Sequence, residues 1–189
     1  MIFYSFLDDD SNRKTEHEAA YKLLSYVLEK YYKITSFQIG KGEHGKPYLK
    51  DTNGINFNIS HCKGLVVCGI SENEIGVDAE HFRDYKENVM QRIFSPSEQE
   101  YVLSSDAAGV DFFRIWTLKE ALGKYMGTGL FTDLKKYPFF FKEGVPFCEN
   151  SEGAFFTQRI LNEKWVVSVC AHDPENEFVF INKTCFYFS

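Results

Sequence analysis

Ile75-Gly76-Val77-Asp78-Ala79-Glu80 alternates apolar positions with glycine and acids, and side chains two apart on a strand share a face. Ile75, Val77 and Ala79 therefore form one apolar face, and Asp78 and Glu80 project together from the other. Adjacent carboxylates repel unless a cation or solvent separates them. A lone Asp-x-Glu is more often a solvated strand end than a metal site, so the pair gains meaning only from its company.

Upstream, Ile55–Ile59 and Leu65–Ile70 read as a hairpin of buried strands, and Ser71–Glu74 as the turn that follows. Met1–Leu7 reads as a strand halted by Asp8–Asp10. Thr15 and Glu18 have capping-box spacing. They open an amphipathic helix whose stripe is Ala20, Leu23, Leu24, Val27, Leu28 and Tyr31, running to about Tyr32. Gly40–Gly45 is a glycine-rich turn, and Pro47 keeps Lys46 extended.

Downstream, Asn88–Phe94 predicts a helical turn or two, Ser95 or Ser97 caps a helix through Leu103, and Ser104–Gly109 predicts a loop. Asp111 is expected to cap a longer helix, Phe112–Met126, closed by Gly127. The remaining apolar runs, Pro138–Lys142, Ala154–Ile160, Trp165–Ala171 and Phe178–Asn182, read as strands. The pattern predicts an α+β chain of two unequal lobes, 1–72 and 73–189.

Composition narrows the function classes. The 189 residues carry 27 acids against 21 bases, a net charge of −6, which argues against a general nucleic-acid binder. Five widely spaced cysteines without a CxxC pair read as reduced thiols and a cytoplasmic location. The opening MIFYSFLDDD has no signal-peptide pattern, and no apolar run is long enough to span a bilayer. No membrane or nucleic-acid partner is expected.

Three further motifs accompany the acidic pair. In Trp116-Thr-Leu-Lys119-Glu120-Ala-Leu-Gly-Lys124, Glu120 and Lys124 are four apart on one helical face with Trp116. Read alone, that is an exposed ion pair worth about 0.3–0.5 kcal/mol; the mixed face also suits a cleft. Asn58-Ile59-Ser60-His61 ends a buried strand. It lacks a GxSxG elbow, and its Ser60 and His61 suit either a turn cap or an anion contact. Gly45-Lys46-Pro47 presents one lysine from a rigid turn but is not a P-loop.

Taken in order, His44-Gly-Lys-Pro-Tyr48, Phe57-Asn-Ile-Ser-His61, Ile75–Glu80, Phe94-Ser-Pro-Ser-Glu98 and Trp116–Lys124 resemble the successive motifs of the 4′-phosphopantetheinyl transferases of the surfactin-synthetase-activating (Sfp) type. The resemblance runs from about Gly45 to Gly129, with a weaker echo in Lys164–Pro174. It implies a pseudo-dimer of two similar lobes, each a small sheet packed on a long helix, with coenzyme A bound between them. It also implies transfer of phosphopantetheine from coenzyme A to a serine of an apo acyl, peptidyl or polyketide carrier protein, releasing adenosine 3′,5′-bisphosphate. A coenzyme- or carrier-binding protein without turnover and a Mg²⁺-dependent phosphohydrolase are the alternatives.

The resemblance further assigns Asp78, Glu80 and Glu120 as ligands of Mg²⁺, with Mn²⁺ suited to the same oxygens. It makes Glu120 or a water it orients the base, and Lys124 the stabiliser of the departing phosphate. Lys46, Ser60, His61 and Asp78, with Lys119 ranked lower, fall at positions that contact the coenzyme, and a monomer is implied. Ala79 stands where the family usually has Ile. Tyr21, with Lys22 beside it, stands where an arginine is common, and Arg13 and Lys14 are candidate substitutes. Val89, Met90, Arg92, Ile93 and Phe94 suit either a carrier surface or core packing.

Overall fold

The computed structural model describes residues 1–187 except 51, 53, 130, 131 and 152. Strand alternation sorts its core into layers. In β1 (Ile2–Phe6), β4 (Asn56–Cys62) and β5 (Leu65–Ser71), one set of side chains packs on the buried stripe of α1 (Arg13–Tyr32). That set includes Phe3, Phe57, Val66, Cys68 and Ile70. The alternate set, Ile2, Cys62, Leu65 and Val67, faces β6 (Ile75–His81) and β10 (Trp165–Ala171). There it meets Ile75, Val77, Ala79, Val167 and Val169. The other face of β6 and β10 is covered by α4 (Ala108–Tyr125). The stacking is helix, sheet, sheet, helix, an α+β arrangement in which each sheet carries one long helix.

The first sheet runs β11-β1-β5-β4 and the second β6-β10-β9, with β9 at Phe155–Leu161 and β11 at Phe178–Phe180. All pairings are antiparallel except β11 with β1. Two small hairpins flank the sheets, β2 (Gln38–Lys41) with β3 (Pro47–Lys50), and β7 (Phe140–Lys142) with β8 (Val145–Phe147). The first sheet draws on residues 2–6 and 56–71 and the second on 75–81 and 155–171, while β11 and α5 (Thr184–Tyr187) return to β1 and α1. The strand β11 supplies hydrogen-bond partners to the outer edge of β1, which would otherwise face water unpaired.

Local differences from the sequence reading concern caps. The cap of α1 is Asn12, whose side chain accepts from the Lys14 and Thr15 amides while the Thr15 hydroxyl accepts from Asn12. The box is thus Asn12/Thr15, not Thr15/Glu18. Asp111 lies inside the first turn of α4, which starts at Ala108. Its buried carboxylate accepts from Ser105 (2.6 Å) and Arg114 (3.2 Å) instead of capping. In α3 (Pro96–Leu103), Ser95 and Glu98 do form a capping box. In α2 (Glu87–Ile93) and after it, Met90 and Phe94 enter the core, which removes them from any carrier surface.

Two close approaches hold α4 in place. Lys119 is fully buried and donates to Glu98 Oε2 at 2.9 Å and to the carbonyls of Leu134 and Tyr137 at 2.8 and 3.1 Å. Glu98 also accepts from the Ser95 and Phe139 amides. Both charges are saturated with hydrogen bonds, the condition under which a buried pair is tolerated. At Gly76, a Cβ atom would fall 2.0 Å from the Ala121 carbonyl oxygen and 2.4 Å from the Tyr125 nitrogen. Gly76→Ala must push the helix backbone off the sheet. It is expected to cost about 3 kcal/mol or more, a fall in Tm of about 6–12 °C in calorimetry. An unchanged Tm would mean that α4 and β6 separate freely.

Candidate active site

The β6 alternation that buries Ile75, Val77 and Ala79 between the sheets turns Gly76, Asp78 and Glu80 toward α4. Because Gly76 lets the helix approach, Glu120 and Lys124 arrive beside Asp78. Lys124 donates to Asp78 Oδ1 at 2.8 Å and to the Val77 carbonyl at 2.8 Å. Its position in the last turn of α4 also places a cation where the helix carbonyls leave negative charge.

From the other sheet, Ser60 and Asn58 of β4 complete the site. The Asn58 side chain accepts from the Val77 amide at 2.8 Å, and Ser60 Oγ accepts from the Ala79 amide at 3.1 Å. Ser60 Oγ also donates to Asp78 Oδ1 at 3.0 Å. Asp78 is 7% exposed. Its second oxygen, Oδ2, is buried with no hydrogen-bond partner. A buried carboxylate oxygen left so is costly and marks a place for a ligand.

Asp78, Glu80, Glu120 and Lys124 line one cleft of about 640 Å³ together with Ser60, His61 and Trp116. A neighbouring cavity of about 390 Å³ shares His61 and Lys124 and continues to Lys46, His44, His17 and Tyr21. The predicted residues are thereby brought together along one path, Lys119 excepted. Lys119 is sealed in the core on Glu98 and reaches neither cavity. Lys46 stands at the mouth, 2.6 Å from exposed Glu74. Tyr21 lies on the cavity wall with its ring 5.0 Å from that of His17.

Charge in the cleft is unevenly balanced. Burial pushes the Glu120 carboxyl up to about 7, with Asp78 and Glu80 adding to the shift and Lys124 opposing it. Arg83 takes Glu80 Oε2 at 2.7 Å from the rim. Among the described residues, no three His, Cys, Asp or Glu side chains converge into a closed metal-binding group. The three carboxylates face one cleft at a distance, two of them held by Lys124 and Arg83. This donor set still suits a hard dication, since it consists of oxygens and includes the unpartnered Asp78 Oδ2.

Sequence reasoning missed Arg83 and Glu16. Arg83 carried a weak signal, three residues after Glu80. The signal of Glu16 was stronger: it precedes Ala20 by four residues and Leu23 by seven, which places an acid on the buried stripe of α1.

Several known proteins are similar to this chain. The family model described as 4′-phosphopantetheinyl transferase superfamily matches residues 74–170. A 4′-phosphopantetheinyl transferase of Bacillus subtilis is 28% identical over 142 residues, 72% of this chain and 63% of the relative. A second from Bacillus subtilis, named ffp, is 27% identical over 190 residues, covering 93% of this chain and 85% of the relative. The crystal structure of Thermotoga maritima holo-[acyl-carrier-protein] synthase aligns with a TM-score of 0.45 at 21% identity, covering 52% of this chain and 61% of that one. Against the first of these relatives the chain spans under two thirds of the relative's length.

The raised Glu120 carboxyl links stability to pH. A folded-state value near 7, above the ordinary 4.5, means that the fold favours the protonated form. The stability it carries is complete below about pH 4.5 and is lost as pH rises through 7. Glu120→Gln, neutral throughout, is expected to match the metal-free wild type at pH 4.5. By pH 8 it should be more stable, by at most about 3 kcal/mol. Thermal melts in a chelator across this range check it, and parallel Tm curves for the two proteins would refute the buried, acid-crowded setting.

Proposed function

Because the chain belongs to the 4′-phosphopantetheinyl transferase superfamily, we propose that it moves phosphopantetheine from coenzyme A to a serine of an apo carrier protein. The adenosine 3′,5′-bisphosphate half leaves. The observation that carries this reading is the buried, unpartnered Asp78 Oδ2, fixed beside Lys124, which lines both neighbouring cavities. Activity, co-substrate and partner all belong to the proposal, as do the cytoplasmic location and the monomeric state. Among the described residues, no helix is long and apolar enough to cross a membrane.

In the reaction, the carrier serine Oγ forms a bond to the phosphorus on the pantetheine side of the pyrophosphate. The bond from that phosphorus to the bridging oxygen breaks, and the electron pair leaves with the bisphosphate. Mg²⁺, held by Asp78, Glu80 and Glu120, would neutralise charge on the phosphoryl oxygens.

The other tasks fall to side chains. Lys124 is anchored on Asp78 and the Val77 carbonyl, so its ammonium is preorganised for the leaving phosphate. Glu120, which faces the same cleft, would accept the serine proton directly or through a water it orients. His61 and Lys46 line the neighbouring cavity, where the rest of the coenzyme would lie. Ser60 keeps Asp78 aimed, since its hydroxyl is itself fixed by the Ala79 amide.

Incubation with coenzyme A, Mg²⁺ and an apo carrier is expected to add the mass of phosphopantetheine to the carrier. Asp78→Ala and Lys124→Ala should each lower the rate about 100-fold or more. Lys142→Ala, on the exposed hairpin β7–β8, should leave it unchanged. An unmodified carrier, across acyl, peptidyl and polyketide types, would defeat the transferase reading. Full activity in Asp78→Ala would defeat the site assignment.

A further inference from the structure

Glu16 is a buried acid that the proposed transfer does not use. It is 6% exposed, on the first turn of α1, at the wall of the acidic cleft. Ser11 Oγ donates to Glu16 Oε1 at 3.0 Å and itself accepts from the Gly64 amide at 3.3 Å. With Oε1 held, Oε2 points to His61, whose Nδ1 stands 3.6 Å away, just beyond hydrogen-bond distance. That nitrogen is buried and has no hydrogen-bond partner. Among the described residues, His61 provides the ion-pair contact of Glu16. The acid thus sits in the cleft wall beside an imidazole that lines both cavities.

We infer that Glu16 is a positioning residue: it orients His61 toward a phosphate of the coenzyme and stabilises the imidazolium that forms when that phosphate arrives. The inference rests on the coenzyme A reading above and adds to it a proton taken up from solvent on binding. Nδ1–H would be directed at Glu16, leaving Nε2–H for the incoming oxygen, the orientation a carboxylate imposes on a histidine. A phosphate alone would sit near a buried carboxylate and be repelled. The imidazolium between them turns two unfavourable charges into two favourable pairs.

The surroundings agree with a histidine that is neutral before the ligand comes. Burial holds His61 below the ordinary histidine range, Glu16 opposes that, and His17 and Lys124 reinforce it. The charged groups and histidines that line these cavities with His61 include Arg13, Glu16 and His17 from α1, Glu120 and Lys124 from α4, Glu80 and His81 from β6, and Lys41, His44, Lys63 and Arg83 from the adjoining segments. Lys46 lines them from the β2–β3 turn and Asp78 from β6. Of these acids, Glu16 is the one within ion-pair distance.

Two measurements test this, one without ligand. By NMR, the His61 C2 proton is expected to titrate at lower pH in Glu16→Gln than in the wild type. Calorimetry of coenzyme A binding with Mg²⁺, in buffers of differing ionisation enthalpy, should show the wild type taking up close to one more proton at pH 7 than Glu16→Gln. The difference between the two proteins cancels the coenzyme's own ionisation. Wild-type affinity should fall with rising pH by up to tenfold per unit relative to the variant. In a His61→Asn background, Glu16→Gln should change neither quantity.

An unchanged His61 titration in Glu16→Gln, or equal proton uptake in the two proteins, overturns the inference while leaving the transferase reading intact. A wild type that binds no coenzyme A overturns both.

Discussion

The structure depends on how the free edge of β6 is satisfied. One edge of that strand pairs with β10. On the other side, the amides of Val77 and Ala79 meet side chains of β4, Asn58 Oδ1 and Ser60 Oγ, instead of a strand backbone. Buried amides must be bonded somewhere, and this solution joins the two sheets without merging them. It also spends one hydroxyl twice, because Ser60 Oγ accepts from Ala79 and donates to Asp78. The register between the sheets therefore sets the position of Asp78.

From that seam the electrostatics follow. Asp78 Oδ1 receives two donors, Ser60 and Lys124. Glu120, close by without comparable support, shifts toward the neutral form. One cleft thus contains one carboxylate bonded to two donors and another pushed by burial toward its neutral form. Lys119, next to Glu120 in the chain, is withdrawn into the core by Glu98. The helix thus anchors itself through one face and lines the cleft with another.

The layering was legible in the sequence wherever period-two alternation was clean. The β6 stretch revealed both its apolar face and its acidic face. The helix stripe Ala20 to Leu28 did the same for α1. What escaped was anything decided by a distant partner. Lys119 looks like a site cation until Glu98, twenty-one positions earlier, is seen to capture it. The Thr15/Glu18 spacing fitted a capping box, but the chain entered the helix one turn sooner at Asn12. The acidic trio was visible as residue types, whereas the separation of its members and the roles of Arg83 and Lys124 as counter-ions depend on three-dimensional placement. Glu16 was the exception: its place on an apolar stripe was readable and was passed over.

The parallel pairing of β11 with β1 constrains the order of assembly. The strand that completes the first sheet is encoded more than 170 positions after its partner, and the whole second sheet lies between. On a ribosome, the first lobe emerges with its α1 and hairpin β4–β5 able to form, yet with the outer border of β1 open until Phe178–Phe180 has been synthesised. That border is a template for any passing strand, so the nascent chain must either be shielded there or finish quickly. The second lobe, by contrast, can close its sheet from β6, β9 and β10 before β11 appears, which makes it the first unit able to mature and the first lobe the last to be sealed.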